Sequence, residues 1–187
     1  MEKKENYLKQ AWLVVVLSII FGASLSGVEM LLKDRINSNK QSETLSQIAK
    51  LVPESLSGEK VDMNGMTVYK AMNKTKQKGW VILANGMGFA DSIEILLGVN
   101  KDASKITGLY VLDQKETPGL GNKIIENNFR MQFQDKNTDI PLKVVKSNDN
   151  SGNKISAVTG ATISSVSVCG IVNKTLNNFR EQLNKQG

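Results

Sequence analysis

Three short stretches hold the residues best able to do chemistry. The first is Thr159-Gly-Ala-Thr162, with Ser164 and Ser165 close behind. It follows an apolar extended segment and precedes a helical one, so Thr162 falls at a helix start. A helix N-terminus offers free N–H groups and the positive end of its dipole, a setting that suits a phosphate. Gly160 allows a tight turn and the close approach of a ligand. A threonine hydroxyl placed there either contacts a phosphate or is esterified by one, and Ser164 and Ser165 add hydroxyl donors. The plainer reading is an N-cap threonine. The second stretch is Glu116-Thr-Pro-Gly-Leu-Gly121, where Pro118 and Gly119 encode a tight turn between a strand and a helix. The third is Asn85-Gly-Met-Gly-Phe89, whose Gly86 and Gly88 leave room for a flat ring against the backbone.

The absences narrow the chemistry. There is no histidine, and Cys169 is the only cysteine. This chain alone therefore cannot ligate an iron–sulfur cluster, build a Cys/His zinc site, close an internal disulfide or form a Ser-His-Asp triad. Redox chemistry, if present, must be carried by an organic cofactor. Cys169 reads as a small buried hydrophobe, and its neighbour Gly170 as a site of close helix packing. The net charge is +6, but the basic residues are scattered and aromatics make up only 5%. Both features argue against a nucleic-acid partner, which calls for a concentrated basic patch with stacking rings.

The elements that must position these residues read as one α+β unit from about residue 42. Leu45, Ile48, Leu51 and Val52 recur at helical spacing before Pro53. Segments 66–72, 80–84, 92–99 and 106–112 are rich in Val, Ile and Tyr, with Gly or Asn between them, and predict an antiparallel sheet. A helix is predicted over 122–133, a short strand over 142–146 and a polar loop over 147–153. Val168, Val172, Leu176, Phe179 and Leu183 then lay one apolar stripe along a final helix.

Ahead of this domain, residues 11–28 carry no charge, and Met30-Leu-Leu32 resumes the apolar run after Glu29. About 20 apolar residues cross a bilayer core, so 11–32 is predicted to be a membrane anchor. Trp12 suits the interface. A secretory signal has a shorter apolar core. Residues 1–10 form an N-terminal tail in this reading, and 33–41 a polar juxtamembrane linker. Lys and Arg are balanced between the two flanks, so charge does not set the orientation.

The anchor followed by Gly86-Met-Gly88, Glu116-Thr-Pro-Gly-Leu-Gly121 and Thr159-Gly-Ala-Thr162 resembles the FMN-binding domain family. The order and spacing are those of its branch in the G subunits of Rnf/Rsx-type ion-translocating electron-transport complexes. The C subunit of the sodium-translocating NADH:quinone reductase is related. The resemblance implies FMN joined covalently through its phosphate to Thr162 by a flavin transferase, within the motif Thr159, Gly160, Ala161 and Thr162. It implies that Glu116, Thr117 and Leu120, with Gly121, lie near the isoalloxazine. It implies an extracytoplasmic FMN-binding domain over 42–187, with the N-terminus cytoplasmic. The role implied is that of an electron-relay subunit in a ferredoxin:NAD oxidoreductase complex that moves sodium ions or protons. Its partners would be the membrane and peripheral subunits of that complex, the transferase and membrane lipid. Ser156 stands where the family usually has an acidic residue. Two other readings of the same residues are a membrane-tethered redox sensor and a structural subunit with a vestigial flavin site.

Overall fold

The computed structural model describes the backbone of residues 2–147 and 149–186. The first element is a long helix, α1 (Glu2–Leu51). Within it, Ala11–Leu51 contains a stretch long and apolar enough to cross a membrane. Two compact units divide the chain, one ending at Ser42 and the other beginning at Glu43. The tail expected at 1–10 is helical from Glu2 (residue 1 lies outside the described residues), and the linker expected at 33–41 is helical as well. No Gly or Pro stands between Val28 and Val52, so nothing local interrupts the helix until Pro53 disfavours it. The end is secured by the Ser55 hydroxyl, which donates to the Val52 carbonyl at 2.8 Å.

Five antiparallel strands follow as a meander: β1 (Ser57–Met63), β2 (Met66–Asn73), β3 (Lys76–Met87), β4 (Ser92–Asn100) and β5 (Ile106–Gln114), in that spatial order. β1 is an addition to the sequence reading, because Gly58, Glu59, Lys60 and Asp62 mask its weak apolar alternation. The Asn64-Gly65 turn that joins it to β2 has positive φ at both residues (52° and 81°), the pattern of a two-residue hairpin loop. β3 and β4 are buried on both faces. Trp80 and Ile82 of β3, with Ile93, Ile95 and Leu97 of β4, enter the larger core, while Val81 and Leu96 enter the smaller one.

Two layers cover the sheet. On one face Ile48, Leu51 and Val52 of the α1 end pack on Tyr69, Ala71, Val81 and Leu96. Gly79 makes this close approach possible: a Cβ there would stand 2.9 Å from Val52 Cγ1 and 2.3 Å from the Val99 carbonyl. The other face receives the last helix (Thr162–Gln186), on which Val168, Val172, Leu176 and Phe179 are buried and Leu183 is half-buried. Phe179 meets Trp80 edge-on at 5.5 Å between centroids.

The helix predicted over 122–133 is instead three short pieces. A 3-10 turn (Gly121–Ile125), α2 (Asn127–Arg130) and a second 3-10 turn (Met131–Phe133) are broken by the extended Glu126. The last helix, Thr162–Gln186, is therefore α3. Burying Ile124, Phe129 and Phe133 together favours the broken path, and the weak helix propensity of Asn127 and Asn128 offers little resistance to it. A separate two-stranded parallel sheet pairs β6 (Lys143–Val145) with β7 (Lys154–Ser156). The loop between them, of which residue 148 lies outside the described residues, is held by Lys136 Nζ. That amine donates to the Asn150 and Gly152 carbonyls at 2.5 and 2.6 Å.

Candidate functional site

Two turns of the same type meet at the lining of one cavity. In the first, the Ala161 N–H donates to the Val158 carbonyl at 2.9 Å, and Gly160 has φ +81°. In the second, the Leu120 N–H donates to the Thr117 carbonyl at 3.2 Å, and Gly119 has φ +76°. A positive φ at the third residue is the type II signature, with Pro118 at the second position as the local sequence encodes. Gly160 is also a contact point. A Cβ on it would lie 3.0 Å from Leu120 Cδ2, so the two motif turns touch where only a hydrogen fits comfortably.

The start of α3 differs from an ordinary capped helix. The Ala161 carbonyl accepts the first helical bond, from the Ser165 N–H at 3.0 Å, which makes Ala161 the cap residue and Thr162 the first helical one. Thr162 is half-buried, and its hydroxyl makes no hydrogen bond among the described residues. The N-cap reading of this threonine is thereby corrected. The first-turn N–H groups of Thr162, Ile163 and Ser164 have no intrahelical partner, as at any helix start. Ser165 is spent on architecture: its hydroxyl donates to the Ala161 carbonyl at 2.9 Å and accepts the Val158 N–H at 3.0 Å.

Glu116 is turned inward, only 4% exposed. Its Oε1 accepts the backbone N–H groups of Phe89 and Ala90 at 2.9 and 3.0 Å, and its Oε2 accepts the Ser164 hydroxyl. Burial alone would raise this carboxyl. The Ser164 hydroxyl and the Ala90 and Phe89 amides outweigh that, and hold it below its ordinary value. Two glycines make the space. A Cβ on Gly88 would stand 2.3 Å from Oε1, and one on Gly121 would stand 2.7 Å from Oε2.

The cavity encloses about 320 Å³ and is lined by Phe89, Thr117, Leu120, Gly121 and the stretch from Gly160 to Ser164. No charged side chain is among these residues. Phe89, Leu120 and Ile163 are all exposed and form apolar walls, while the open end of α3 supplies the polar one. A planar apolar ring system carrying a phosphate fits this division of labour. A second groove of about 330 Å³ beside Lys50, Tyr110 and Arg130 contains none of the motif residues.

Several expectations about individual residues change with the tertiary structure. Thr162, Gly160, Ala161, Ser164, Thr117, Leu120 and Gly121 do converge on one cavity, but Glu116 is not on its wall. Ser164 donates its proton to Glu116, and Ser165 donates to Ala161, so neither hydroxyl proton is free for a ligand. Gly86 and Gly88 lie off the cavity wall: Gly86 accommodates Ile171 of α3, and Gly88 accommodates the Glu116 carboxylate. Thr159 does not line the cavity. Gly170 faces open space rather than a packed neighbour. Phe89 and Ile163 are wall residues that the motifs do not single out. Their only signal was a large apolar side chain next to a motif glycine or threonine.

Comparison with known proteins bears on the same segment. Residues 88–177 match the FMN-binding domain family. The chain is 40% identical over 100 residues to the G subunit of the proton-translocating ferredoxin:NAD(+) oxidoreductase complex of Clostridium ljungdahlii, covering 54% of this chain and 52% of that one. It is 36% identical over 130 residues to the G subunit of the ion-translocating oxidoreductase complex of Methanosarcina acetivorans, covering 67% and 65%. The chain thus spans about half to two thirds of the length of these relatives. Its fold is that of the C subunit of the Na(+)-translocating NADH-quinone reductase from Parabacteroides distasonis, with a TM-score of 0.58 at 23% identity over 76% of this chain and 83% of that one. NqrC of Shewanella oneidensis gives a TM-score of 0.55 at 22% identity, covering 69% and 70%. The family to which the chain is related is thus that of the FMN-binding domain, and the matched segment, residues 88–177, holds every residue that lines the cavity.

Proposed function

We propose that this chain carries FMN in the cavity, esterified through its phosphate to Thr162, and serves as an electron-relay subunit of a membrane-bound ion-translocating oxidoreductase complex. The observation that carries the reading is the Thr162 hydroxyl. It is unspent, stands on the cavity wall and sits at the positive end of α3. The N–H groups of Thr162, Ile163 and Ser164 would hold the phosphate oxygens. Phe89, Leu120 and Ile163 would bound the ring and keep water from its faces. When bound, FMN would supply electron transfer in single steps.

Attachment would form a bond from Thr162 Oγ to the phosphorus of a flavin pyrophosphate donor brought by a transferase. The P–O bond to the leaving nucleotide breaks, and the hydroxyl proton passes to a base of the transferase. The chain itself converts no free substrate. Residues 11–32 of α1 would anchor it in the lipid, with the N-terminus cytoplasmic and the domain outside. The neighbouring subunits of the complex would supply and accept electrons between ferredoxin and NAD.

The test is in-gel flavin fluorescence of membranes on a denaturing gel, wild type beside Thr162→Ala, with the transferase present. A fluorescent band near 20.5 kDa that disappears in the variant is the expected result. A wild-type band without fluorescence would overturn covalent attachment, and Ser156 would then be the first residue to examine.

A further inference from the structure

We propose that Glu116 is the positioning residue of this site: its buried carboxylate joins the β3–β4 connection, the Thr117–Leu120 turn and the first turn of α3 into one unit, and so fixes Thr162 relative to the apolar walls. The proposal rests on the reading of the cavity as the FMN site. Two distant chain segments meet the segment of Glu116 on its two carboxylate oxygens. Phe89 and Ala90 are 27 and 26 residues away in sequence, and Ser164 is 48 residues away. Phe89 is one cavity wall, Thr117 and Leu120 another, and Ser164 stands two residues beyond Thr162 on the third.

Among the described residues, no cation pairs with Glu116. The partners that hold its charge are backbone amides and one hydroxyl, which bond more strongly to a charged acceptor than to a neutral one. A buried carboxylate with fewer partners would be costly, so the donors are held to it and the segments that carry them are held together. The clearances at Gly88 and Gly121 show that the carboxylate occupies space the backbone was shaped to leave. Its negative charge also stands beside the N-terminal turn of α3, where the helix dipole favours it. The Ser164 hydroxyl is oriented by this bond, which leaves the backbone N–H groups and Thr162 as the donors that face the cavity.

The experiment uses the full chain in membranes with the transferase present, comparing wild type, Glu116→Gln, Glu116→Ala and Ser164→Ala. Two readouts are taken: the rate of flavin attachment per chain, and amide hydrogen exchange at Phe89 and Ala90 in the detergent-solubilised protein. The change in tryptophan fluorescence as Trp80 leaves the core, measured over the constant contribution of Trp12, reports whether each variant is folded. Glutamine keeps an oxygen for Phe89 and Ala90, so Glu116→Gln is expected to load near the wild-type rate with both amides protected. Glu116→Ala is expected to load roughly tenfold to a hundredfold more slowly, the upper figure being the cost of displacing a reacting group by about 1 Å, with both amides exchanging faster. Should Glu116→Ala fail to fold, Ser164→Ala, which removes one of the three bonds, is expected to load several-fold more slowly.

Wild-type loading and wild-type exchange in either folded truncation would overturn the proposal. So would a Glu116→Gln variant that loads as slowly as Glu116→Ala while both amides stay protected, because the loss would then not come from separation of the segments. The exchange readout does not depend on flavin. If wild type carries no flavin, the function proposed above fails, while the amides of Phe89 and Ala90 still decide the role of Glu116.

Discussion

Replacing Gly121 by alanine probes the packing around Glu116 without touching its charge. The new Cβ would lie 2.7 Å from Glu116 Oε2, 2.9 Å from Glu116 Cβ and 2.9 Å from Ser164 Oγ. None of these atoms is the free end of a flexible side chain, because Oε1 is tied to Phe89 and Ala90 and Ser164 lies in the first turn of α3. Relief requires the carboxylate to swing from Ser164, which gives up a charge-assisted hydrogen bond worth roughly 1.5–3 kcal/mol. The alternative is for the backbone to shift, at an overpacking cost of about 1–3 kcal/mol. The two routes agree on a loss of roughly 2 kcal/mol, and a domain of this size loses about 3–4 °C of Tm per kcal/mol.

The assay is thermal unfolding of the detergent-solubilised chain followed by tryptophan fluorescence, in which the exposure of Trp80 is the expected change, with a drop of roughly 6–8 °C expected for Gly121→Ala. The matched control is Gly170→Ala, on the open face of α3 where a Cβ meets nothing within 4 Å. There alanine relieves the entropic cost of a helical glycine and is expected to raise stability by about 0.5–1 kcal/mol. If Gly121→Ala melts with the wild type while the control behaves as stated, the carboxylate is not held where the structure places it. The account of Glu116 would then fail.

Three further outcomes follow from named residues. The Glu116 carboxyl titrates below its ordinary value of 4.5 in the fold, so its stabilisation is complete above that value and is lost as pH falls through the folded one. An acid titration of Tm should therefore be shallower in Glu116→Gln than in wild type, and parallel curves would refute the assignment. Burial pushes the Cys169 thiol up to about 12, so alkylation at about pH 8 should be negligible until the chain is unfolded; rapid labelling of the native protein, read by mass, would contradict its burial. Phe179→Ala empties a fully buried site against Trp80 and should cost roughly 3–5 kcal/mol by chemical denaturation. A loss below about 1 kcal/mol would mean that α3 is not the main cover of the sheet.

Much of the site's local geometry was legible in the sequence. Pro118-Gly119 and Gly160 encode their turns within a few residues, because a pyrrolidine ring and a missing Cβ act on the backbone where they stand. The α3 stripe and the apolar run of 11–32 are likewise periodic properties of contiguous residues. Where sequence reasoning went astray, a distant contact had decided the matter. The segment 122–133 has a helical look, but burying Ile124, Phe129 and Phe133 at once bends it into three pieces. β1 has a mostly polar surface, and only its pairing with β2 makes it a strand.

The same division runs through the site. Residue order alone dictates that a threonine begins a helix after a glycine turn, that a second glycine turn precedes the segment 122–133, and that no histidine or cysteine pair competes for the chemistry. It leaves open which way Glu116 faces. Its partners are 26 to 48 residues distant, and whether a carboxylate contacts a ligand or braces the backbone depends on which amides the fold brings within hydrogen-bonding range. Tertiary structure likewise committed the protons of Ser164 and Ser165 to the protein, assigned Gly86 to Ile171 and Gly88 to Glu116, and left the Thr162 hydroxyl unspent. The physical reason is range: backbone torsions and periodicity act over one turn of chain, whereas hydrogen-bond partners and steric clearance are settled only when separate segments meet.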